Sequence, residues 1–121
     1  MHTTTDTHSR STKILNRIMR NTAVRTALVR REKPDGTGLE DAHAGDKDMV
    51  DVVTKAVDTA VAAHSSIFSS HRVRVEFDGH VVIVDVHADG ALAVVVPQGD
   101  PSMKSMNRSL QRAWAAGSPK A

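Results

Sequence analysis

The stretch that decides the fold is RVRVEFDGHVVIVDVHADGALAVVV, residues 72–96. Polar and apolar residues alternate without a break from Arg72 to Phe77, which is the period of a strand with one buried face. Asp78-Gly79 follows as a two-residue hairpin turn, and residues 81–87 form the returning strand. The stretch therefore predicts an antiparallel meander.

The turn also fixes the register of this hairpin. Opposed positions sum to 157, so we expect Val75 opposite Val82 on one face and Arg72 opposite Asp85 on the other. After a second turn, residues 91–96 are almost continuously apolar, as in a strand that is buried on both faces. We expect that strand to be central in the sheet.

Upstream of the meander, residues 46–69 have the pattern of a helix. Asp46 is a good N-cap, and Asp48 and Asp51 lie in the favourable first turns. The apolar side is wider than the arc of about 100° or a little more that a helix on a sheet needs, so we expect it to contact a second helix as well. That apolar side comprises Met49, Val50, Val53, Ala56, Val57, Ala60, Val61, Ile67 and Phe68.

Both ends of the chain contain helical patterns. A first helix is predicted from Ser11 or Thr12, and a last helix begins at Asp100-Pro101 and ends at Gly117. Residues 1–10 are too polar to pack and are predicted to be a disordered tail.

The segment between the first two helices is less determined. Residues 24–31 could continue the first helix, but their β-branched residues and the Pro34-Asp35-Gly36 turn favour a strand that enters a hairpin. Residues 37–40 would then be a short return strand, and residues 41–45 a loop.

Taken in order, these elements predict an α+β fold, α-β-β-α-β-β-β-α, with a five-stranded, mainly antiparallel sheet between helices. One domain would span residues 11–117, with a short tail at 118–121. The composition, 40% hydrophobic and 25% charged, is that of an ordinary globular chain.

No pattern in the sequence indicates a catalytic, cofactor or metal site. Cysteine is absent, and the seven histidines lack ligand spacing, so we expect no metal site. The glycines of residues 33–38 do not match a phosphate-binding loop. Asp85 and His87 share a strand face, but no nucleophile lies nearby in sequence. We expect a cytoplasmic protein that is not an enzyme, needs no cofactor and does not span a membrane.

Charge is distributed unevenly along the chain. The segment Arg10–Lys33 holds eight basic residues against Glu32, a local charge of +7, whereas Asp35–Asp58 carries −5. The two blocks are expected to attract each other in the fold or across a partner. The basic block also supports an alternative function, nucleic-acid binding, although no aromatic residues are interleaved with it.

Several short motifs resemble the roadblock/LC7 family. Asn21 to Val29 is similar to the entry of that family into its first strand, with Asp35-Gly36 at its usual turn. Val73 with residues 76–79 resembles its third strand and turn, and residues 92–95 its fifth strand. The sequence departs from the family pattern in a longer, more polar first hairpin and in Asn21-Thr22, where Pro-Gly is customary.

The resemblance implies a function in protein interaction. Such domains dimerise through the third strand and second helix, and bacterial members regulate small Ras-like GTPases, some as activating partners. By this resemblance we expect a homodimer that regulates or scaffolds a GTPase, ranked above nucleic-acid binding, a small-molecule sensor and an enzyme. The expected dimer interface comprises Val53, Ala56, Ala60, Arg72, Val73, Val75 and Phe77.

Overall fold

The computed structural model describes residues 3–33, 35–63 and 70–117. Within these residues, three helices and five strands follow the predicted order and confirm the α+β fold. The elements are α1 Thr3–Ile18, β1 Thr26–Glu32, β2 Leu39–Gly45, α2 Val50–Ala63, β3 Ser70–Phe77, β4 His80–His87, β5 Gly90–Pro97 and α3 Met106–Ala116. Short 3-10 turns at Lys47–Met49 and Pro101–Ser105 precede α2 and α3.

The five strands form one sheet in the order β2-β1-β5-β4-β3, and each neighbouring pair is antiparallel. β5 lies in the middle of the sheet, and every residue from Ala91 to Val96 is buried. A central strand contacts helices on both faces, so only a continuous apolar run satisfies both. This confirms the prediction for residues 91–96.

The β3–β4 hairpin has the predicted register. Val75 is paired with Val82, and Arg72 with Asp85. Asp78 adopts a positive φ of 43°, and Gly79 follows with 75°, as a type I′ turn requires. The turn residues and the strand alternation therefore specify the same alignment.

The first hairpin resolves the alternative that the sequence left open. Residues 26–32 form a strand because they pair with β5 on one side and with β2 on the other. The prediction of a loop at 41–45 was wrong, since β2 runs through all of it. Its polar residues are tolerated because β2 is an edge strand, with Ala42 and Ala44 turned towards the core and the alternate residues towards solvent.

Helices α1 and α3 cover one face of the sheet. They run antiparallel, since Asn21 near the end of α1 contacts Ser109 in α3, whereas Gly117 after α3 lies against Ile14. Their buried residues pack on Val29, Leu92 and other residues of this face. Among the described residues, this side of the sheet holds the larger of two hydrophobic clusters.

On the opposite face, α2 is the helix that covers the sheet within the described residues. Val53, Val57 and Ala60 are buried against β1, β5 and β4. Asp46 accepts a hydrogen bond from the backbone N–H of Asp48 and caps the 3-10 turn, as the sequence predicted for the start of the helical segment. The predicted continuation towards residue 69 lies outside the described residues beyond Ala63.

The first helix starts earlier than the sequence predicted. It begins at Thr3 and not near Ser11, so most of the expected tail over residues 1–10 is helical. Once Ile14 and Ile18 bury the later turns, each further residue adds one hydrogen bond to an existing helix, and composition alone does not stop it. The expected tail at 118–121 lies outside the described residues. In the described part of the chain, no helix is long and apolar enough to cross a membrane.

Candidate functional site

Strand β3 forms one edge of the sheet, next to a face that α2 leaves partly uncovered. β3 pairs only with β4, so its outer side carries backbone N–H and C=O groups without a strand partner in the described part of the chain. On the α2 side of the sheet, Val73 and Phe77 are half-buried, whereas Val75 is 42% exposed. An exposed valine between two half-buried apolar residues makes this edge a candidate contact surface.

The flank of α2 that faces β3 also exposes apolar residues. Asp58 lies on the other flank, because its carboxylate binds Arg30 on β1 at 2.6 Å. At about 100° per residue, Val52 is about 120° around the helix from Asp58, on the β3 side. Val52 is 37% exposed, and Ala56, one turn later, is half-buried. Together with β3, these residues form an apolar strip, which we call the β3–α2 strip: Val52, Ala56, Val73, Val75 and Phe77.

The structure divides the seven residues that the sequence assigned to a dimer interface. Val53 and Ala60 are 0% and 1% exposed in the core beneath α2, so they cannot contact a partner while the protomer stays folded. Ala56, Val73, Val75 and Phe77 lie in the β3–α2 strip. Val52 was assigned from the sequence neither to the apolar side of α2 nor to this surface, and the available signal was a valine one turn before Ala56.

Arg72, the remaining member, holds β3 in place from the other face of the sheet. Its guanidinium makes a two-pronged salt bridge to Asp85 on β4, with Nη2 at 2.9 Å from Oδ2, and it also donates to Asn107 of α3. The carboxylate raises the pKa of Arg72, mainly through the hydrogen bond between them. Asp85 is nearly buried, so this pair fixes the edge strand to the layer of α1 and α3.

Arg30 connects the basic and acidic segments of the sequence. It donates to Asp41 on β2 from two nitrogens, at 2.8 and 2.9 Å, and to Asp58 on α2. The hydrogen bond to Asp41 is the main cause of a raised pKa for Arg30. The expected attraction between the two blocks is therefore present within the fold at this residue.

Several exposed basic residues in α1, directly after it and in α3 lie on one side of the sheet. Helix α2, on the other side of the sheet, carries Asp51 and Asp58 but also Lys55. The basic set comprises Lys13, Arg17, Arg20, Arg108 and Arg112. The helical face formed by α1 and α3 is therefore basic.

His87 packs against an aromatic ring. Its imidazole stacks on Trp114, with ring centroids 4.1 Å apart and planes inclined by 8°, and the Arg31 guanidinium lies 5.1 Å from the same indole ring. Burial is the main cause of a lowered pKa for His87, with Asp85 and Asp89 acting in the opposite direction. This stack fastens the end of α3 to the sheet. In the described residues, no group of three or more potential ligands could hold a metal ion.

No protein-family model and no curated protein matches this chain.

Proposed function

We propose that this chain is a non-catalytic interaction module of the roadblock/LC7 type. It forms a homodimer through the β3–α2 strip and, in the cytoplasm, regulates or scaffolds a small Ras-like GTPase. The observation that carries the proposal is the exposed Val75 on an edge strand beside the apolar flank of α2. The GTPase partner rests on the motif resemblance.

The edge of β3 suits pairing with a second copy of itself. The strand has eight residues, Ser70–Phe77, and contains neither proline nor glycine. Proteins commonly protect such edges with bulges, prolines or covering segments, since an open edge recruits another strand. If the β3 strands of two copies paired, the two sheets would become one continuous sheet, and the open β3 edge of each copy would be hydrogen-bonded.

Side-chain chemistry selects the register of this pairing. We consider the pairing that keeps both copies of α2 on the same side of the joined sheet. Side chains alternate between the two sides of a strand, so an odd-numbered residue of one copy must then pair with an odd-numbered residue of the other. The residue numbers of each pair therefore add up to an even number. With Val75 opposite its own copy, Arg74 faces Glu76 and Val73 faces Phe77. Centring on Arg74 would instead oppose two like charges, which destabilises a pair.

The same arrangement brings the flanks of α2 together. Val52 and Ala56 lie on the side of α2 nearest the two-fold axis, and their side chains are small enough for close approach of two helices. Burial of these residues together with Val75 in both copies would give the interface an apolar centre, surrounded by the charges of β3. No contact of Val53 or Ala60 is required.

A charge swap tests the dimer and its register. Arg74→Glu places the new carboxylate against Glu76 of the other copy, twice in each dimer. We expect a dimer dissociation constant about 5 to 30 times higher, from about 1–2 kcal/mol of lost pairing. The double variant Arg74→Glu/Glu76→Arg recreates two opposite-charge pairs and should restore the affinity. Analytical ultracentrifugation measures both constants.

The protomer itself should tolerate these changes. Arg74 and Glu76 are more than half exposed and 3.5 Å apart, and such a surface pair contributes little to stability. A wild-type protein that is monomeric at all concentrations would refute the dimer. Failure of the double variant to restore a dimer that Arg74→Glu has weakened would refute the register.

The GTPase partner has its own test. Small Ras-like GTPases from the same genome are each loaded with GDP or with a non-hydrolysable GTP analogue and mixed with the wild-type chain. We expect one of them to bind more tightly in one nucleotide state. A Val75→Asp variant, which places two carboxylates on the axis, shows whether that binding needs the dimer. If none of the GTPases binds in either nucleotide state, the proposal of a GTPase partner is wrong.

Nucleic-acid binding remains the second candidate, because the basic residues of α1 and α3 share one face of the molecule. Phosphate contacts would make its affinity fall steeply with salt. We rank it lower because the exposed basic face lacks aromatic residues on which bases could stack, apart from the partly buried Trp114. Gel-shift titrations with duplex DNA at two salt concentrations test nucleic-acid binding, which predicts an affinity that falls steeply at the higher salt.

A further inference from the structure

A concave surface of about 440 Å³ lies between the end of α1 and the start of α3, on the face of the sheet away from α2. We call it the arginine groove. It is lined by Arg17, Arg20, Asn21, Thr22, Ser105, Ser109 and Arg112. Its volume falls within the range of about 300–1,000 Å³ that is usual for small-ligand sites. Every lining side chain can donate a hydrogen bond, and none is acidic or apolar.

Helical periodicity brings the donors of the groove together. Ser105, Ser109 and Arg112 follow one another at spacings of four and three residues, so they share one face of the α3 segment. Arg17 and Arg20 are three residues apart at the end of α1. Because the two helices are antiparallel, these two rows meet along the groove.

The three guanidinium groups lack acidic partners within the described residues. All salt bridges there are made by other arginines, Arg30, Arg31, Arg72 and Arg74. Three like charges around one concavity repel each other, and nothing in its lining offsets that repulsion. An anion with several charges would remove it and gain charge-assisted hydrogen bonds.

The loop after α1 is held in a fixed position at this site. The Asn21 side chain accepts from the backbone N–H of Ala23 at 3.0 Å and donates to the Ser109 hydroxyl oxygen at 3.2 Å. Since the Ser109 oxygen accepts there, its own O–H is the donor left for a ligand. The floor of the groove is therefore organised before any ligand binds, which lowers the entropic cost of binding.

From this geometry we infer that the arginine groove binds a compact ligand carrying two or more phosphate groups. Arginine forks match phosphate oxygens in pairs, and the hydroxyl groups of Thr22 and Ser109 can donate further hydrogen bonds. The lining contains no aromatic or apolar residue on which a base could stack, so recognition rests on the phosphates. The inference does not depend on the proposed dimer, because the groove and the β3–α2 strip lie on opposite faces of the sheet.

Calorimetric titration of the full chain with inorganic tripolyphosphate tests this inference. The variant Arg17→Ala/Arg112→Ala removes one groove arginine from each helix, and we expect affinity to fall by at least about tenfold. The matched control Lys13→Ala/Arg108→Ala removes the same charge from exposed positions one turn away on the same helices. We expect a loss of less than about threefold from it, since only long-range attraction changes.

A third variant separates geometry from charge. Arg112→Lys keeps the positive charge but removes the fork, so its affinity should lie between wild type and the double variant. It also keeps the test valid if the double variant fails to fold. Thermal melting without ligand checks each variant, and similar midpoints are expected because the replaced side chains are exposed.

Three results would overturn the inference. One is the absence of saturable tripolyphosphate binding to the wild type. The second is an equal loss in the groove and control variants, which would mean that diffuse charge alone attracts the anion. The third comes from a duplex DNA arm: tight duplex binding that tripolyphosphate does not displace would assign this face to nucleic acid. Displacement of tripolyphosphate by orthophosphate at much higher concentration agrees with the inference.

Discussion

Replacing Ala60 with glutamate tests whether α2 points this residue into the protomer or towards a partner. From the sequence alone, Ala60 belongs to the expected dimer interface, where a charge would weaken association. The structure places it 1% exposed, in the cluster formed with Leu28, Val57 and Val84. The substitution should therefore unfold the protomer.

The size of the effect follows from the burial. A carboxylate moved into this core without a partner costs several kcal/mol, or it is protonated at the cost of about 1.4 kcal/mol for each unit of raised pKa. Fitting the longer side chain into a packed core adds about 1–3 kcal/mol. The total, about 4–7 kcal/mol, is comparable with the whole stability of a typical domain, about 5–15 kcal/mol.

Urea unfolding followed by circular dichroism gives the measurement. Ala62→Glu, at an exposed position of the same helix, is the control and should stay within about 0.5 kcal/mol of wild type. Each protein is measured at two concentrations, because dimerisation alone makes the midpoint depend on concentration. An Ala60→Glu protein that is monomeric but as stable as wild type would refute the burial argument and return Ala60 to the dimer interface.

Three further substitutions test the sheet and the aromatic stack. A Cβ atom at Gly90 would lie 2.1 Å from the carbonyl oxygen of Arg30, so Gly90→Ala should separate β1 from β5 and cost more in urea unfolding than Gly79→Ala, whose Cβ meets only open space. Gly79→Ala should cost about 1–2 kcal/mol, because of its positive φ. His87 has a lowered pKa, so the unfolded chain binds more protons and this residue reduces stability as the pH falls through the usual histidine range. His87→Phe keeps a ring against Trp114, and its melting temperature should fall less than that of wild type between about pH 7 and 5; an unchanged slope would refute the shift.

The parts of the fold that the sequence predicted correctly are those in which local and long-range requirements agree. Strict alternation from Arg72 to Phe77 and the Asp78-Gly79 turn both specify the β3–β4 register. The unbroken apolar run at residues 91–96 has no reasonable position except the middle of a sheet. In such segments a single structure agrees with the turn residues, with the alternation of side chains and with the pattern of burial.

The sequence was least informative where tertiary contacts decide the structure. Residues 41–45 contain Asp41 and His43, and only pairing with β1 makes them a strand. The choice between helix and strand at residues 24–31 was settled by the pairing of β1 with both of its neighbours. The sequence of a polar edge strand shows only weak alternation of polar and apolar residues. One face of such a strand is exposed to solvent, so fewer of its positions require an apolar side chain.

The arginine groove could not be found from sequence spacing. Arg17 and Arg112 come from opposite ends of the chain, and only the antiparallel contact of α1 with α3 joins them. The basic block at residues 10–33 was visible in the sequence, but folding divides it. Arg17 and Arg20 line the groove, whereas Arg30 binds acidic residues on the other side of the sheet.

The two proposed surfaces can act in one assembly because the sheet separates them. A two-fold axis perpendicular to the sheet at Val75 keeps both copies of α2 on one side of the joined sheet. The same operation places both layers of α1 and α3 on the other side, so a dimer presents two arginine grooves in the same direction. A ligand or surface with several phosphate groups could then engage both grooves at once, and the second contact would form at the high effective concentration that linkage provides. Dimerisation through the apolar strip would thereby strengthen anion binding without changing either groove.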